Sequence, residues 1–456
     1  MGSKRWAFQG EGGGVFGFAW SRAGDFSGPE GWHTAILRDW KVFFGKGRWG
    51  RLDAFDERIN IMPAMPLLGR TLMLVSAAVF SLPAQPQQVW QMQNSGTTAG
   101  LRGIDSVDGA VAWASGTGGT VLKTIDGGAH WQKCAVPDAA TDGATLDFRG
   151  VQAADQSTAL VMSSGKGSQS RIYRTDDGGR HWKLIFKNPE PDGFWDALAA
   201  WSFSHVYEGK PRNATGWILG DPVDGHIRVY KYWDGFLISG YSGPWHALRL
   251  DKDETDSLEA DRKTTGSFAA SNSAFVYIPW RPLDGQELRN GSVWPFTHLF
   301  VTGGISGARL YTPLPQVGDV EMPTNWRVTP LPLGSRTESS GAFSIGLAAD
   351  HPAGVAVGGD YTKPSESVGT AAWSADGGLH WTASTTPPHG YRSTVQWSES
   401  LKLWITAGTN GSDISRDDGR SWQPLDDGNW NALSLPFIVG PNGRIGRLNP
   451  DSIPKP

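Results

Sequence analysis

The chain has 456 residues, a formal net charge of −4 and only 19% charged residues. With no basic stripe visible, a nucleic-acid partner is disfavoured, and the single cysteine, Cys134, excludes an intramolecular disulfide. The 23 tryptophans and 60 glycines suit a β protein with many turns.

The N-terminal part contains a candidate export signal. Arg70 is followed by an apolar run over residues 72–82 and by the small-residue end at 83–84. This order of features is typical of a secretory signal peptide, and the run is too short to span a membrane. We therefore predict a signal peptide over 62–84, a mature chain that begins near Gln85, and a periplasmic or extracellular location.

Residues 1–61 differ from the rest of the chain because they are rich in Gly and Trp and share none of its repeats. A signal peptide should lie at the very N-terminus. We therefore interpret 1–61 as an extension ahead of a true start at Met62 or Met65. The alternative interpretation is a genuine but disordered leader.

From residue 124 onward, one octamer, Ser/Thr-x-Asp-x-Gly-x-x-Trp, recurs four times. An Asp side chain that accepts backbone N–H groups and a Gly that supplies positive φ are the components of a hairpin turn. The Trp that follows should open the next strand and bury its ring between neighbouring repeats. We expect structural roles for the octamer residues Asp126, Trp131, Asp177, Trp182, Asp376, Trp381, Asp417 and Trp422.

The repeats predict a closed ring of seven units. The stretch between Trp182 and Trp381 is too long for one repeat of ~40–50 residues, and degenerate octamers leading to Trp245 and Trp326 fill it. The seventh unit runs out of chain before its last strand, and residues 89–92 resemble the strands that follow the octamers. We therefore predict an all-β, seven-bladed β-propeller of four-stranded blades, formed by 85–456 as one domain and closed by its N-terminal strand. The predicted first strands of the blades begin at Leu101, Phe148, Trp195, Ser267, Phe343, Tyr391 and Trp430.

The octamer resembles the Asp-box of the sialidase-like, BNR-repeat β-propellers. Five further motifs, taken together, resemble bacterial secreted relatives of the photosystem II stability/assembly factor, over about residues 89–448. They are Gly220-Asp221-Pro222-Val223-Asp224-Gly225, Phe268-Ala269-Ala270-Ser271-Asn272, Gly354-Val355-Ala356-Val357-Gly358-Gly359-Asp360-Tyr361, Gly390-Tyr391-Arg392-Ser393 and Val439-Gly440-Pro441-Asn442-Gly443-Arg444-Ile445. The resemblance implies a chaperone-like protein without enzymatic activity that binds a protein partner, such as a subunit of an envelope or membrane-protein complex. We expect a monomer with no membrane span in the mature chain.

Polar residues recur near the starts of the first strands, where a propeller lines its axial channel. We place Arg102, Arg149, Asp196, Ser344, Arg392 and Asn431 at one strand offset, and Asp221, Asp360 and Tyr361 just after second strands. These residues should surround one mouth of the channel. Three arginines suit an anionic group, because guanidinium binds carboxylates through two hydrogen bonds. The alternative is that the side chains brace neighbouring blades.

An enzymatic function has weaker support. A sialidase needs a tyrosine nucleophile paired with Glu, and the sequence suggests no such pair. An inverting glycosidase needs two carboxylates ~6.5–9.5 Å apart, for which Asp221 and Asp360 are the candidates. Metal-ligand clusters and dinucleotide-binding motifs are absent from the sequence, so we expect no metal and no other cofactor. The alternative to a partner-binding propeller is therefore a glycan-acting hydrolase or lectin.

Overall fold

The computed structural model describes four strands before residue 52 and then residues 88–455, with gaps at 203–205, 208–209, 212–214, 234–244, 248–259, 280–295 and 314–325. The chain divides into two units, Met1–Ser81 and Leu82–Pro456. In the first unit, four strands pair in chain order in one sheet. They are Arg5–Gln9, Val15–Ala19, Lys41–Phe44 and Arg48–Arg51. The predicted signal peptide at 62–84 lies outside the described residues, and the assignment of 1–61 stays a prediction.

The second unit consists of seven four-stranded antiparallel sheets, which we number as blades 1–7 in chain order. Blade 1 comprises Leu101–Ser106, Ala112–Gly116, Val121–Thr124 and Gln132–Lys133. Blade 2 comprises Phe148–Ala153, Ala159–Ser163, Arg171–Thr175 and Lys183–Lys187. Blade 3 comprises Trp195–Ser202, Thr215–Val223, His226–Trp233 and Trp245–Ala247. Blade 4 comprises Phe275–Pro279, Phe296–Thr302, Arg309–Pro313 and Trp326–Pro330.

The remaining blades follow the same order. Blade 5 comprises Ser340–Leu347, Gly354–Asp360, Ala371–Ser374 and Thr382–Ala383. Blade 6 comprises Thr394–Ser398, Leu403–Gly408, Gly411–Ser415 and Gln423–Asp426. Blade 7 comprises Ala432–Ser434, Phe437–Val439, Ile445–Leu448 and the N-terminal strand Trp90–Gln93. A small hairpin, Val206–Tyr207 with Lys210–Pro211, and the 3-10 helices Gly143–Thr145, Gly167–Gln169 and Pro450–Ser452 complete the described elements.

The predicted all-β, seven-bladed β-propeller is confirmed, and so is its closure. First strands of successive blades contact one another around the ring, and blade 7 contacts blade 1. The N-terminal strand pairs antiparallel with the third strand of blade 7, from Trp90 opposite Leu448 to Gln93 opposite Ile445. Trp90 is buried between blades, where its ring lies 6.1 Å from that of Trp430. The closing strand therefore removes the open edge that blade 7 would otherwise present.

Each octamer forms a turn between the third and outer strands. In the first copy, the N–H of Gly128 donates to the Thr124 hydroxyl, and the N–H of His130 donates to the Asp126 carboxylate, both at 2.9 Å. Gly128 has φ of 85°, which favours glycine. The backbone N–H and the ring of His130 both bond to the Asp126 carboxylate, and these contacts lower the pKa of Asp126 to about 2. The other three copies repeat the two backbone hydrogen bonds.

The tryptophans of the octamers connect neighbouring blades. Trp131 of blade 1 packs edge-on against Phe437 of blade 7, with ring centroids 5.7 Å apart. Trp182 of blade 2 packs in the same way against Trp113 of blade 1, at 6.3 Å. The octamers thus form turns, and their tryptophans contact neighbouring blades.

One predicted strand is wrong. Residues 267–270 do not start blade 4, whose first strand is Phe275–Pro279. Instead, residues 264–274, which we call the axial plug, extend into the channel. Ala269 accepts a hydrogen bond from Arg149 of blade 2, and Ser271 donates one to the backbone of Ser393 in blade 6. Since neither blade is a neighbour of blade 4, this segment reaches across the channel.

The axial plug departs from strand geometry because its polar groups form hydrogen bonds with other blades. Asn272 has φ of 65°, and its side chain exchanges two hydrogen bonds with the backbone of Leu198 in blade 3. Ser273 donates to the hydroxyl of Ser344 in blade 5 at 2.8 Å. No local sequence pattern indicates these distant partners.

Candidate functional site

The two ends of the blades differ in what they present. First strands begin where second strands end, since Leu101 lies opposite Gly116. Octamer turns follow Thr124, which lies opposite Ala112 at the other end. We call the end of the first-strand starts the upper face and the end of the octamer turns the lower face. The predicted channel mouth belongs to the upper face.

The structure corrects the alignment of the first strands. In blades 1–3, the pairing of the first strand with the second shifts register near the start of the first strand. The residue at this shift, which has no partner on the second strand, is Arg102, Arg149 or Asp196. In blade 5 that position is held by Phe343, because Ala342 lies opposite Gly358. Ser344 therefore lies one residue further along than the sequence alignment predicted.

Blade 6 is shifted by one residue in the opposite sense. The N–H of Arg392 bonds to Gly358 of blade 5 just as the N–H of Leu101 bonds to Gly440 of blade 7. Arg392 therefore corresponds to Leu101, and Ser393 corresponds to Arg102. A shift of one residue turns a side chain to the opposite face of its strand.

Arg392 is consequently buried between blades and has no exposed surface. Its Nε donates to Asp413 at 2.6 Å and its Nη1 to the carbonyl of Tyr391 at 2.7 Å. Asp413 is equally buried. The prediction that Arg392 shares the mouth with the other two arginines is thus wrong for its side chain, which braces the blade in an internal ion pair.

Arg102 and Arg149 meet at the mouth around the carboxylate of Asp147, which is not among the predicted site residues. Asp147 accepts a hydrogen bond from Arg149 Nε at 2.8 Å and lies 3.4 Å from Arg102 Nε. Within the described residues, Arg102 Nε has no hydrogen-bond partner. Burial and the neighbouring charge of Arg149 lower the pKa of Arg102, against the opposing effect of Asp147. Two guanidinium groups share one carboxylate, which leaves net positive charge at the mouth.

Aromatic rings lie next to the arginines. Phe268 of the axial plug stacks on Phe343 with centroids 3.9 Å apart, and Tyr361 lies edge-on to both rings at 6.3–6.4 Å. Tyr361 is 52% exposed. Gly303 leaves room for this stack, because a Cβ there would lie 2.6 Å from the Phe268 ring. The ring of Tyr391 contacts Phe343, and burial raises the pKa of Tyr391 against the opposing effect of the Arg102 charge.

We define the upper mouth as Arg102, Arg149, Phe268, Phe343 and Tyr361. It combines cationic groups that retain hydrogen-bonding capacity with an aromatic surface that is partly open to solvent. Such a surface can bind a carboxylate and an adjacent apolar or aromatic side chain.

The acidic residues predicted at the mouth have different environments. Asp196 is buried, its Oδ2 has no hydrogen-bond partner among the described residues, and burial followed by the charge of Asp221 raises its pKa well above the ordinary value. Asp221 accepts the N–H of Ser267 at 3.2 Å, and burial raises its pKa as well. Because burial disfavours ionisation of both, these carboxyls neutralise the arginines only weakly.

Two further predicted residues have structural partners. Asp360 accepts the N–H and hydroxyl of Thr362 and the hydroxyl of Thr337. Burial alone would raise the pKa of Asp360, but these hydrogen bonds outweigh it and the pKa is lowered. Asn431 donates to the carbonyl of Leu101 at 2.7 Å and so braces blade 7 against blade 1.

The architecture is similar to that of two solved structures. Both are of YCF48, a photosystem II assembly factor. "YCF48 bound to D1 peptide" is 18% identical, with a TM-score of 0.49 over 81% of this chain and 99% of the other. "YCF48 from Cyanidioschyzon merolae" is 16% identical, with a TM-score of 0.47 over 80% of this chain and 100% of the other. No family model matches the chain, and no curated protein matches it in sequence.

Two searches of the described residues were negative. No group of three His, Cys, Asp or Glu side chains there could hold a metal ion. No helix in that part of the chain has the length and hydrophobicity needed to cross a bilayer.

Proposed function

We propose that the protein is an exported, non-enzymatic β-propeller that binds a protein partner at its upper mouth, in the manner of a chaperone or assembly factor. The observation that carries the proposal is the pairing of Arg102 and Arg149 around the single carboxylate of Asp147, beside the exposed ring of Tyr361. The partner we infer is a subunit of an envelope or membrane-protein complex. Its bound segment carries a carboxylate next to an apolar side chain.

Electrostatics support this assignment. The chain is acidic overall, at −4, so a local excess of positive charge serves a purpose other than general solubility. Partly buried guanidinium groups bind carboxylates more strongly than exposed lysines do, because two parallel hydrogen bonds fix the geometry. The mouth therefore favours acidic segments over neutral ones.

A capture experiment tests the proposal. Affinity capture from the cell envelope with crosslinking and mass spectrometry should recover a defined partner with the parent protein. Arg102→Ala and Tyr361→Ala should each abolish most of the recovery while the protein stays folded. Arg180→Ala, in an exposed octamer turn on the lower face, is the matched control and should leave capture unchanged. Added salt should weaken capture, since exposed charges are screened.

Unchanged capture by a folded Arg102→Ala/Arg149→Lys double variant would eliminate the upper mouth as the binding site.

Export has its own test. N-terminal sequencing of the secreted protein should find a start near Gln85, and retention of residues 1–61 would contradict the proposed signal peptide.

The glycan-acting alternative has one observation in its favour, the raised pKa of Asp196 beside Asp221. A general acid of a glycosidase has such a raised pKa. Asp196 is only 2% exposed, however, so a sugar does not reach it in this conformation. Turnover of any substrate in a panel of fluorogenic glycosides, lost in Asp196→Asn, would favour the alternative.

A further inference from the structure

The channel remains open below the axial plug. A cavity of about 440 Å³ lies there, which we call the lower cavity. It is lined by first-strand residues and by Ser271, Asn272 and Ser273 of the axial plug. Its volume is in the range of small-molecule sites, about 300–1,000 Å³. The side chains that give it chemical character are Asp105, Gln152, Tyr277, Gln396, Trp397 and Glu399.

The charge in the lower cavity is opposite to that of the upper mouth. Among the described residues that line it, Asp105 and Glu399 are the charged ones, and no Lys or Arg is present. Asp105 Oδ2 accepts the N–H of Ala153 at 2.6 Å. Burial raises the pKa of Asp105 to about 6, and no cationic side chain counteracts this effect. A cation placed beside this carboxylate would offset the cost of its burial.

Aromatic walls complement the carboxylates. Trp397 and Tyr277 both line the lower cavity. The Trp397 ring is fixed between His351, at 4.9 Å, and Trp404, at 5.4 Å. A cation over the face of a Trp or Tyr ring is attracted by the negative charge density of the π-system. Gln396 accepts the N–H of Leu435, so its side chain is also held in place.

We propose that the lower cavity binds a compact organic cation, an alkylammonium or guanidinium group, with the charge at Asp105 and Glu399 and the carbon chain against Trp397 and Tyr277. The cation belongs either to a small molecule or to a Lys or Arg side chain of a partner. This site lies on the opposite side of the axial plug from the upper mouth, so its occupancy does not depend on the function proposed there.

Calorimetric titration of the full chain with defined probes tests this assignment. The probes are agmatine, cadaverine, the neutral 1,5-pentanediol and a short peptide with one central Arg. Agmatine or cadaverine should bind saturably and the diol should not. Asp105→Asn keeps the acceptor for Ala153 and should weaken binding about tenfold or more, as for a hydrogen bond to a charged group. Glu399→Gln should weaken it less, because Glu399 is exposed.

Asp451→Asn is the matched control, because it removes one exposed carboxylate that does not line the lower cavity. Its affinity should stay within twofold of the parent. Saturable binding of the peptide alone, lost in Asp105→Asn, would support the site and identify a partner's side chain as the source. Three outcomes would overturn the proposal. These are no saturable binding of any cationic probe at millimolar concentration, equal binding of the diol, and binding unaffected by Asp105→Asn.

Discussion

Truncation of Trp90 to alanine tests the closure of the ring. Trp90 is 3% exposed, its Nε1 donates to the Ser412 hydroxyl at 3.0 Å, and its ring packs on Trp430. Replacing a buried Trp by Ala costs about 3–5 kcal/mol. At an unfolding entropy of ~2.1 cal/mol/K per residue, a propeller of about 370 residues should then melt about 4–6 °C lower.

Near-UV circular dichroism during heating measures this shift, and Met92→Ala provides the control. Met92 lies on the same strand but is 48% exposed, so its truncation should change the midpoint by less than about 1 °C. If Trp90→Ala and Met92→Ala melted together, the burial of the closing strand would contribute nothing. Removal of residues 85–95 should lower the midpoint further than either substitution, because the whole outer strand of blade 7 is lost.

Three further predictions concern charged groups. Arg392→Ala should destabilise the fold by about 3–5 kcal/mol, because it leaves buried Asp413 unpaired, and urea titration should show Arg102→Ala to be far milder. Asp196→Asn should raise the melting temperature at pH 7.5 and have little effect at pH 4. The raised pKa of Asp196 means that stability is lost as pH rises, so an equal effect at both values would contradict the assignment. Stability should also fall as pH drops from about 4 towards about 2, because the lowered pKa of Asp126 contributes stability only above that range; acid titration of Asp126→Asn should show a smaller fall.

Local patterns were sufficient to predict the fold. Each octamer fixes a turn through hydrogen bonds between residues at most four positions apart, as between Gly128 and Thr124. The closing strand was recognisable because residues 89–92 repeat the pattern that follows Trp131 and Trp422. Such signals depend on neighbours along the chain, so a sequence reveals them.

The site was predicted less well, because it depends on contacts between distant residues. Arg392 follows an aromatic residue as Arg149 does, but its strand is shifted by one residue. This shift places Arg392 in a buried ion pair with Asp413, whereas Arg149 lies at the mouth. The axial plug is bonded to blades 2, 3, 5 and 6 by hydrogen bonds between residues 71 to 122 positions apart in the sequence. Asp147 had a weak signal, since it lies two residues before Arg149, but nothing local showed that Arg102 would join them.

The axial plug also bears on the order in which the chain folds. Its hydrogen bond from Arg149 spans 120 residues towards the N-terminus, and the one from Ser271 to Ser393 spans 122 towards the C-terminus. During synthesis, the segment therefore emerges after blade 2 but waits for blade 6 before its bonds can be completed. Contacts of such sequence separation form late and slowly. The axial plug of a nascent chain should therefore not close the central channel until blade 6 has been synthesised. Closure of the channel then indicates that the blades before and after the axial plug have come together.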